Sequence, residues 1–250
     1  MRPEEIDAYT VKIDQALRQP SRRLEKAEIE PYTPGNAGVE RPITFGYVFV
    51  DFGDPGWKLL VQGFRLAVAT LYPECQVATV GFTTEYDKVP MIGTQAYAKM
   101  RRTFRGNMVF LDPDVICYRR CDPFEADFDV GLTDSREKWP FMPFNAGVQF
   151  YRDTPGAQKY LDAVMEITND IPQGVAPWFV NQMAMRLAYE MLRGEVKFKI
   201  FPHARYNYAP DVVAPTDAYF VHLKGTRKRM VKDYLVPVLE NLVELGVARG

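Results

Sequence analysis

The chain has 250 residues, 47% of them hydrophobic, and a formal net charge of −1. That length supports one sizeable α/β core, and the near-neutral balance excludes a general electrostatic attraction to nucleic acid or to anionic membrane. The opening residues, Met1-Arg2-Pro3-Glu4-Glu5, do not read as a signal peptide, and no apolar run reaches membrane-spanning length.

Ile6, Tyr9, Ile13 and Leu17 recur at helical spacing, and Pro20 ends that stripe. Residues 19–42, rich in charge, Pro and Gly, read as a linker. Residues 1–42 are therefore expected as a helix and linker appended to a single domain over 43–250. A β-prone run at 43–50 predicts the first strand, 51–56 a turn, and 57–71 a helix with Leu60, Phe64, Ala67, Val68 and Leu71 at periodic positions. A strand at 76–82, a helix at 94–104 and a strand at 107–111 follow. This alternation points to a parallel α/β layer. Further strands are predicted at 130–133, 147–151, 196–201 and 220–223. Helices are predicted at 154–168, 178–193 and 230–243, the last kinked at Pro237.

The apolar run 107–111 ends in Asp112-Pro113-Asp114. Residues two apart in an extended chain share a side, so both carboxylates are expected to face one divalent cation where a buried strand opens into a pocket. Two hard oxygen ligands suit Mg²⁺ or Mn²⁺ better than zinc. The plain alternative is a solvated turn, which Pro113 favours, and about one Asp-x-Asp is expected by chance in a chain of this size. Asp127-Phe128-Asp129 is a second such pair, but it precedes an apolar run. Ligands of α/β sheets gather beyond the carboxyl ends of strands, which favours Asp112 and Asp114.

Near the C-terminus stands His222-Leu223-Lys224-Gly225-Thr226-Arg227-Lys228. A neutral imidazole can supply a third metal ligand. Gly225 lets backbone N–H groups approach a phosphate, which Lys228 or Lys224 can neutralise. A structural histidine and a solvated basic face are the bland readings. No Gly-x-Gly-x-x-Gly or Walker-type loop and no Gly-x-Ser-x-Gly elbow is present, which argues against a dinucleotide oxidoreductase, a P-loop ATPase and an α/β-hydrolase. Cys75, Cys117 and Cys121 lack zinc-site spacing and read as reduced thiols of a cytoplasmic protein.

Taken in order, Asp112-Pro113-Asp114, Phe144-Asn145-Ala146-Gly147-Val148, Asn181-Gln182, Tyr206-Asn207 and His222 to Lys228 resemble the motifs of the glycogenin-like and galactosyltransferase-like family 8 glycosyltransferases. The resemblance spans about residues 43–230. It implies an α/β GT-A fold, a single Rossmann-like mixed sheet flanked by helices. It also implies metal-dependent transfer of a hexose from a nucleotide-diphosphate sugar, a UDP-sugar first, with Mn²⁺ (or Mg²⁺) as cofactor and with retention of configuration.

The resemblance further implies roles for single residues. Asp112, Asp114 and His222 would hold the metal, Lys228 would contact the diphosphate, and Gly225 would allow its close approach. Tyr97-Ala98-Lys99-Met100 resembles the family's Tyr-Ala-Arg-Leu, so Lys99 would reach the donor. Asp134 would grip sugar hydroxyls, Asn145 would lie by the donor sugar, and Gln182 beneath it. Phe49, Val50 and Asp51 would meet the base and ribose. The chain departs from the pattern at Asn181, where the family has aspartate, and at Arg229-Met230, where it has Pro-Trp.

Two other functions fit parts of this pattern. One is a nucleotide-sugar-binding protein of the same fold with weak turnover, which Asn181 favours. The other is a sugar nucleotidyltransferase, which the acidity of 51–56 disfavours. The acceptor is left open among glycan, lipopolysaccharide, protein and modified nucleic acid. Arg101, Arg102, Arg105 and the run 224–229 could meet an anionic polymer. Trp139, Phe141, Phe144 and Trp178 could stack on a sugar or base, and 135–143 could form an acceptor-side lid.

Overall fold

In a computed structural model the structure describes residues 43–50, 55–82, 89–136, 142–170 and 179–244. The helix and linker expected over 1–42, Asp51, and the aromatics Trp139, Phe141 and Trp178 lie outside these residues.

The first half alternates strand and helix as expected: β1 (Ile43–Val50), α1 (Pro55–Leu71), β2 (Gln76–Phe82), α2 (Val89–Thr103) and β3 (Asn107–Leu111). Both helices begin earlier than predicted. Pro55 and Pro90 sit in first turns, where the missing N–H has no intrahelical acceptor in any case. Next come β4 (Val115–Cys117), a 3₁₀ turn (Pro123–Glu125), β5 (Val130–Asp134), β6 (Phe144–Tyr151), α3 (Pro155–Asp170) and α4 (Val180–Leu192). The chain then forms β7 (Phe198–Phe201), the short α5 (His203–Tyr206), β8 (Phe220–His222), a 3₁₀ helix (Gly225–Met230) and α6 (Val231–Glu244), which contains Pro237.

Six strands make one mixed sheet in the order β2-β1-β3-β6-β5-β7. β1 runs parallel to both β2 and β3, as the alternation predicts, while β6 lies antiparallel between β3 and β5, and β7 pairs parallel with β5. All eight residues of β6 are buried, as expected for the middle of a sheet covered on both faces. One face carries α1, α6 and a cluster including Phe45, Phe64, Val68, Phe150, Phe220 and Leu239. The opposite face carries α2, α3 and α4 over Met100, Phe110, Tyr151, Tyr160, Leu161 and Met185. Each such fully buried large side chain contributes about 1.5–3 kcal/mol relative to exposure. The mixed sheet flanked by helices is the architecture that the resemblance implies. Among the described residues no helix is long and apolar enough to cross a membrane.

A second, two-stranded ribbon joins β4 to β8 antiparallel, with Val115 opposite His222. It packs into the α1/α6 side of the core through Val115, Ile116, Cys117, Phe220 and Val221. Burial pushes the Cys117 thiol up and the Cys121 thiol up to about 12, which favours the neutral thiol at both.

Candidate metal centre

Asp112 and Asp114 converge through a turn rather than through strand alternation. Val115 N–H donates to Asp112 C=O at 3.0 Å, closing a four-residue turn between β3 and β4 with Pro113 at its second position. Pro fits there because its φ is already set for the turn. The turn that Pro113 favours is thus what presents both carboxylates, and it differs from the extended segment expected. Leu223 N–H donates to Asp114 C=O at 2.8 Å, so the ribbon holds the turn from its far side.

The β4–β8 register brings His222 to this turn. Its Nε2 lies 3.0 Å from Asp114 Oδ1 and 3.9 Å from Asp112 Oδ2. The three ligand atoms lie within 4.8 Å of one another. From the 3₁₀ helix that follows, Lys228 Nζ reaches Asp114 Oδ2 at 3.1 Å. Asp112 is the most exposed of the three, its side chain 36% exposed, while those of Asp114 and His222 are only 12% and 4% exposed.

Burial raises the Asp112 carboxyl to about 6; His222 opposes the rise and the neighbouring Asp114 charge adds to it. Burial also works against charge on Asp114, but the His222 imidazole and the Lys228 ammonium outweigh it and hold this carboxyl below the ordinary range. Two oxygen donors and one imidazole nitrogen converge here, a donor set that would fit Mn²⁺ well and Mg²⁺ less well.

Behind the imidazole, β6 supplies support. Its pairing with β5 shifts register between Leu132 and Thr133, so Leu132 faces Gln149 but Thr133 faces Asn145. The extra residues bulge and carry Gly147 to the centre, where its C=O accepts from Asp112 N–H at 2.9 Å. A Cβ on Gly147 would stand 2.5 Å from both Nδ1 and Cε1 of His222. Asn145 Oδ1 accepts from Gly147 N–H at 2.8 Å, and buried Asn207 bridges Asn145 to His222 Nδ1. Asn145 therefore has its amide oxygen engaged inside the protein, by Gly147 N–H and the Asn207 amide. The bulge and the bridging amide of Asn207 carry no periodic signal; the Phe-Asn-Ala-Gly-Val and Tyr-Asn pairs were their only trace in the sequence.

The other expected donor residues are placed as follows. Lys99 is exposed on α2, two residues beyond Tyr97. Two residues turn a helix by about 200°, and Tyr97 is the one facing the sheet, stacked on Phe110 with its hydroxyl donating to Leu111 C=O at 3.2 Å. Lys99 is thus on the opposite side of α2, and the structure does not bring it to the carboxylates. Phe49 and Val50 end β1 opposite Gly81 and Phe82 of β2. Asp134 closes β5 and is gripped by Arg136, whose Nε donates to Oδ1 at 2.9 Å; this hydrogen bond holds the carboxyl below the ordinary range. Asn181 and Gln182 lie half-buried in the first turn of α4, and Asn181 Oδ1 accepts from Gln182 N–H at 2.8 Å.

Gly225 adopts φ +63°, with open space where a side chain would stand. Backbone conformation, not crowding, sets glycine there. Gly225→Ala is expected to cost about 1–2 kcal/mol, readable as a fall in melting temperature of a few degrees.

The basic segments expected to meet an acceptor are largely engaged in the fold. Arg101 is buried against Asp153, Arg102 pairs with Asp162 of α3, and Arg227 binds Pro210 C=O at 2.6 Å and Asp211. Phe144 is buried and packs edge-on against Tyr189, so it offers no face to a ligand. At the second Asp-x-Asp, Asp127 pairs with Lys197 Nζ at 2.8 Å and Asp129 accepts from Lys197 N–H at 2.9 Å. This pair braces β5 against the chain entering β7.

No family model and no curated protein matches the chain. Among solved structures it is similar to a glycosyltransferase involved in the glycosylation of the major capsid of PBCV-1, with a TM-score of 0.55, 16% identity, and coverage of 76% of this chain and 98% of that one. It is also similar to the glycosyltransferase GlyE of Streptococcus pneumoniae TIGR4, with a TM-score of 0.59, 11% identity, and coverage of 84% of this chain and 64% of that one. At these identities the likeness is one of architecture: the chain has a glycosyltransferase fold.

Proposed function

We propose that this protein transfers a hexose from a nucleotide-diphosphate sugar, a UDP-sugar first, to an acceptor, using Mn²⁺ (or Mg²⁺) held by Asp112, Asp114 and His222. The observation that carries this reading is the meeting of three ligand atoms within 4.8 Å, with Lys228 beside them, in a glycosyltransferase fold. A bound cation supplies positive charge against a departing diphosphate. Lys228 adds its own charge at the same place and would exchange part of its contact with Asp114 for the phosphate. Gly225 sets the entry of the 3₁₀ helix that carries this lysine. Gln182, at the start of α4, is the group proposed beneath the reacting sugar, and Asp134 the one proposed for its hydroxyls. Retention of configuration is proposed from the motif resemblance.

The test is calorimetry with UDP and Mn²⁺, followed by UDP release from a panel of nucleotide sugars. Metal-dependent UDP binding with UDP release supports transfer. Metal-dependent binding with no release from any donor supports a nucleotide-sugar-binding protein, a result that Asn181, with its carbonyl engaged at the helix start, would help explain. Absence of metal-dependent binding overturns the reading.

For Lys228→Ala, a charge-assisted hydrogen bond to phosphate is lost, about 1.5–3 kcal/mol. The expected outcome is UDP affinity in Mn²⁺ lowered by about ten-fold or more, with Mn²⁺ affinity changed little. An unchanged UDP dissociation constant removes Lys228 from the donor site.

A further inference from the structure

Hydrogen-bond polarity around His222 can be traced outward from a backbone group that can only donate. Gly147 N–H points at one amide atom of Asn145 at 2.8 Å, so that atom is the oxygen, Oδ1. The Asn207 atom 2.9 Å from this oxygen must be the nitrogen, Nδ2. Nδ2 also lies 3.1 Å from Thr133 Oγ1. The single hydroxyl hydrogen there is directed to Asn145 C=O at 3.1 Å or Val148 C=O at 3.2 Å, leaving lone pairs for Asn207. What remains of the Asn207 amide is its oxygen, 2.9 Å from His222 Nδ1. An oxygen there accepts, so Nδ1 carries hydrogen. The amide orientation and the tautomer, normally matters of assignment, follow here from one backbone N–H.

We infer that Asn207 and Asn145 form an amide relay that keeps a hydrogen on Nδ1 of His222 and thereby turns Nε2 toward Asp112 and Asp114 as the ring's ligand atom. Neither asparagine touches the cation in this arrangement; both are positioning residues. Gly147 also meets the carboxylate turn: the residue whose N–H binds Asn145 accepts, through the C=O of its next peptide, from Asp112 N–H at 2.9 Å. Hydrogen bonds on either side of Gly147 in β6 thus reach two of the three residues. A cation bound there would take the place of any hydrogen on Nε2, while the relay keeps the one on Nδ1. Without Asn207, the ring is free to place its hydrogen on Nε2 and donate to Asp114 Oδ1, 3.0 Å away, which closes the position to a metal.

The consequence for metal affinity rests on the cation reading of this centre; the tautomer does not, and it is read without metal. The chain has only two histidines, so histidine ¹⁵N labelling gives two spin systems. A long-range ¹H–¹⁵N spectrum of the metal-free protein in alkaline buffer is expected to show a hydrogen on Nδ1 of His222, with or without a second on Nε2. An Nε2–H tautomer overturns the relay, whether or not any variant folds. Asn207→Leu is expected to move His222 to the Nε2–H form and to weaken Mn²⁺ binding by about 10–100-fold. Asn207→Asp keeps an acceptor for Nδ1 and is expected to retain the Nδ1–H form and an intermediate affinity. A folded Asn207→Leu protein that keeps the wild-type tautomer and Mn²⁺ affinity overturns the inference. Failure of the wild type to bind Mn²⁺ while showing Nδ1–H removes the proposed function and leaves the relay standing.

Discussion

Asp114→Asn is expected to abolish Mn²⁺-dependent nucleotide binding and donor turnover while leaving the protein folded. The substitution is nearly isosteric, and it removes the one anion that His222 Nε2 and Lys228 Nζ share, at 3.0 and 3.1 Å. An outer hydrogen-bond partner of a metal ligand is worth about 10–100-fold in affinity, and a direct carboxylate ligand should exceed that. The amide also brings a donor toward the space a cation would occupy. The stability cost is smaller than for a fully buried ion pair, because the Lys228 side chain is 23% exposed and water screens it. A loss of about 1–3 kcal/mol would lower the melting temperature by a few degrees. Calorimetry with Mn²⁺ and UDP, set beside a thermal melt, checks both halves. Wild-type Mn²⁺ affinity in a folded Asp114→Asn protein would remove the carboxylates from the metal reading.

Gly147→Ala should be nearly as damaging, although residue 147 bears no functional group. The added methyl would lie 2.5 Å from two ring atoms of His222 and 3.0 Å from Asn145 Oδ1. The ring has little room to retreat: its side chain is 4% exposed and its Nδ1 is held by Asn207 at 2.9 Å. Either the imidazole moves off the carboxylates or the β6 bulge gives way. Overpacking of this kind costs about 1–3 kcal/mol, again a few degrees of melting temperature. Mn²⁺ affinity should fall by at least the roughly 10–100-fold assigned to loss of ligand orientation. A Gly147→Ala protein that melts and binds Mn²⁺ like the wild type would show that the bulge does not set the ring.

Much of the frame was legible in residue order. The strands and helices from Ile43 to Leu111 follow from apolar periodicity, since each helix covers its sheet with one stripe. Asp112 and Asp114 were legible because they close a buried strand. The reason they converge was not: a four-residue turn leads straight into a strand of three residues, Val115–Cys117, too short for any alternation to show. That missed strand is what brings His222 to the carboxylates. Lys99 shows the opposite error, a local motif match that helix geometry turns away from the site. Arg101 and Arg227 show why a run of charge is a poor guide to surface: each is committed to a carboxylate or carbonyl far along the chain. Asn207 was visible in the sequence only as half of the Tyr206-Asn207 motif, because its hydrogen bonds to Asn145 and His222 join residues 62 and 15 positions away.

The β4–β8 ribbon has a bearing on how the centre comes into being on the ribosome. Asp114 and Lys228 are separated by 114 positions. At translation speeds of roughly 5–20 residues per second, the carboxylates leave the peptidyl-transferase centre some 6–23 s before the lysine is added. Through that interval the nascent chain holds an acidic turn and an uncovered β4 edge with neither of their later partners. A polypeptide terminated between Phe201 and Phe220 would keep every strand of the six-stranded sheet and still lack both His222 and Lys228.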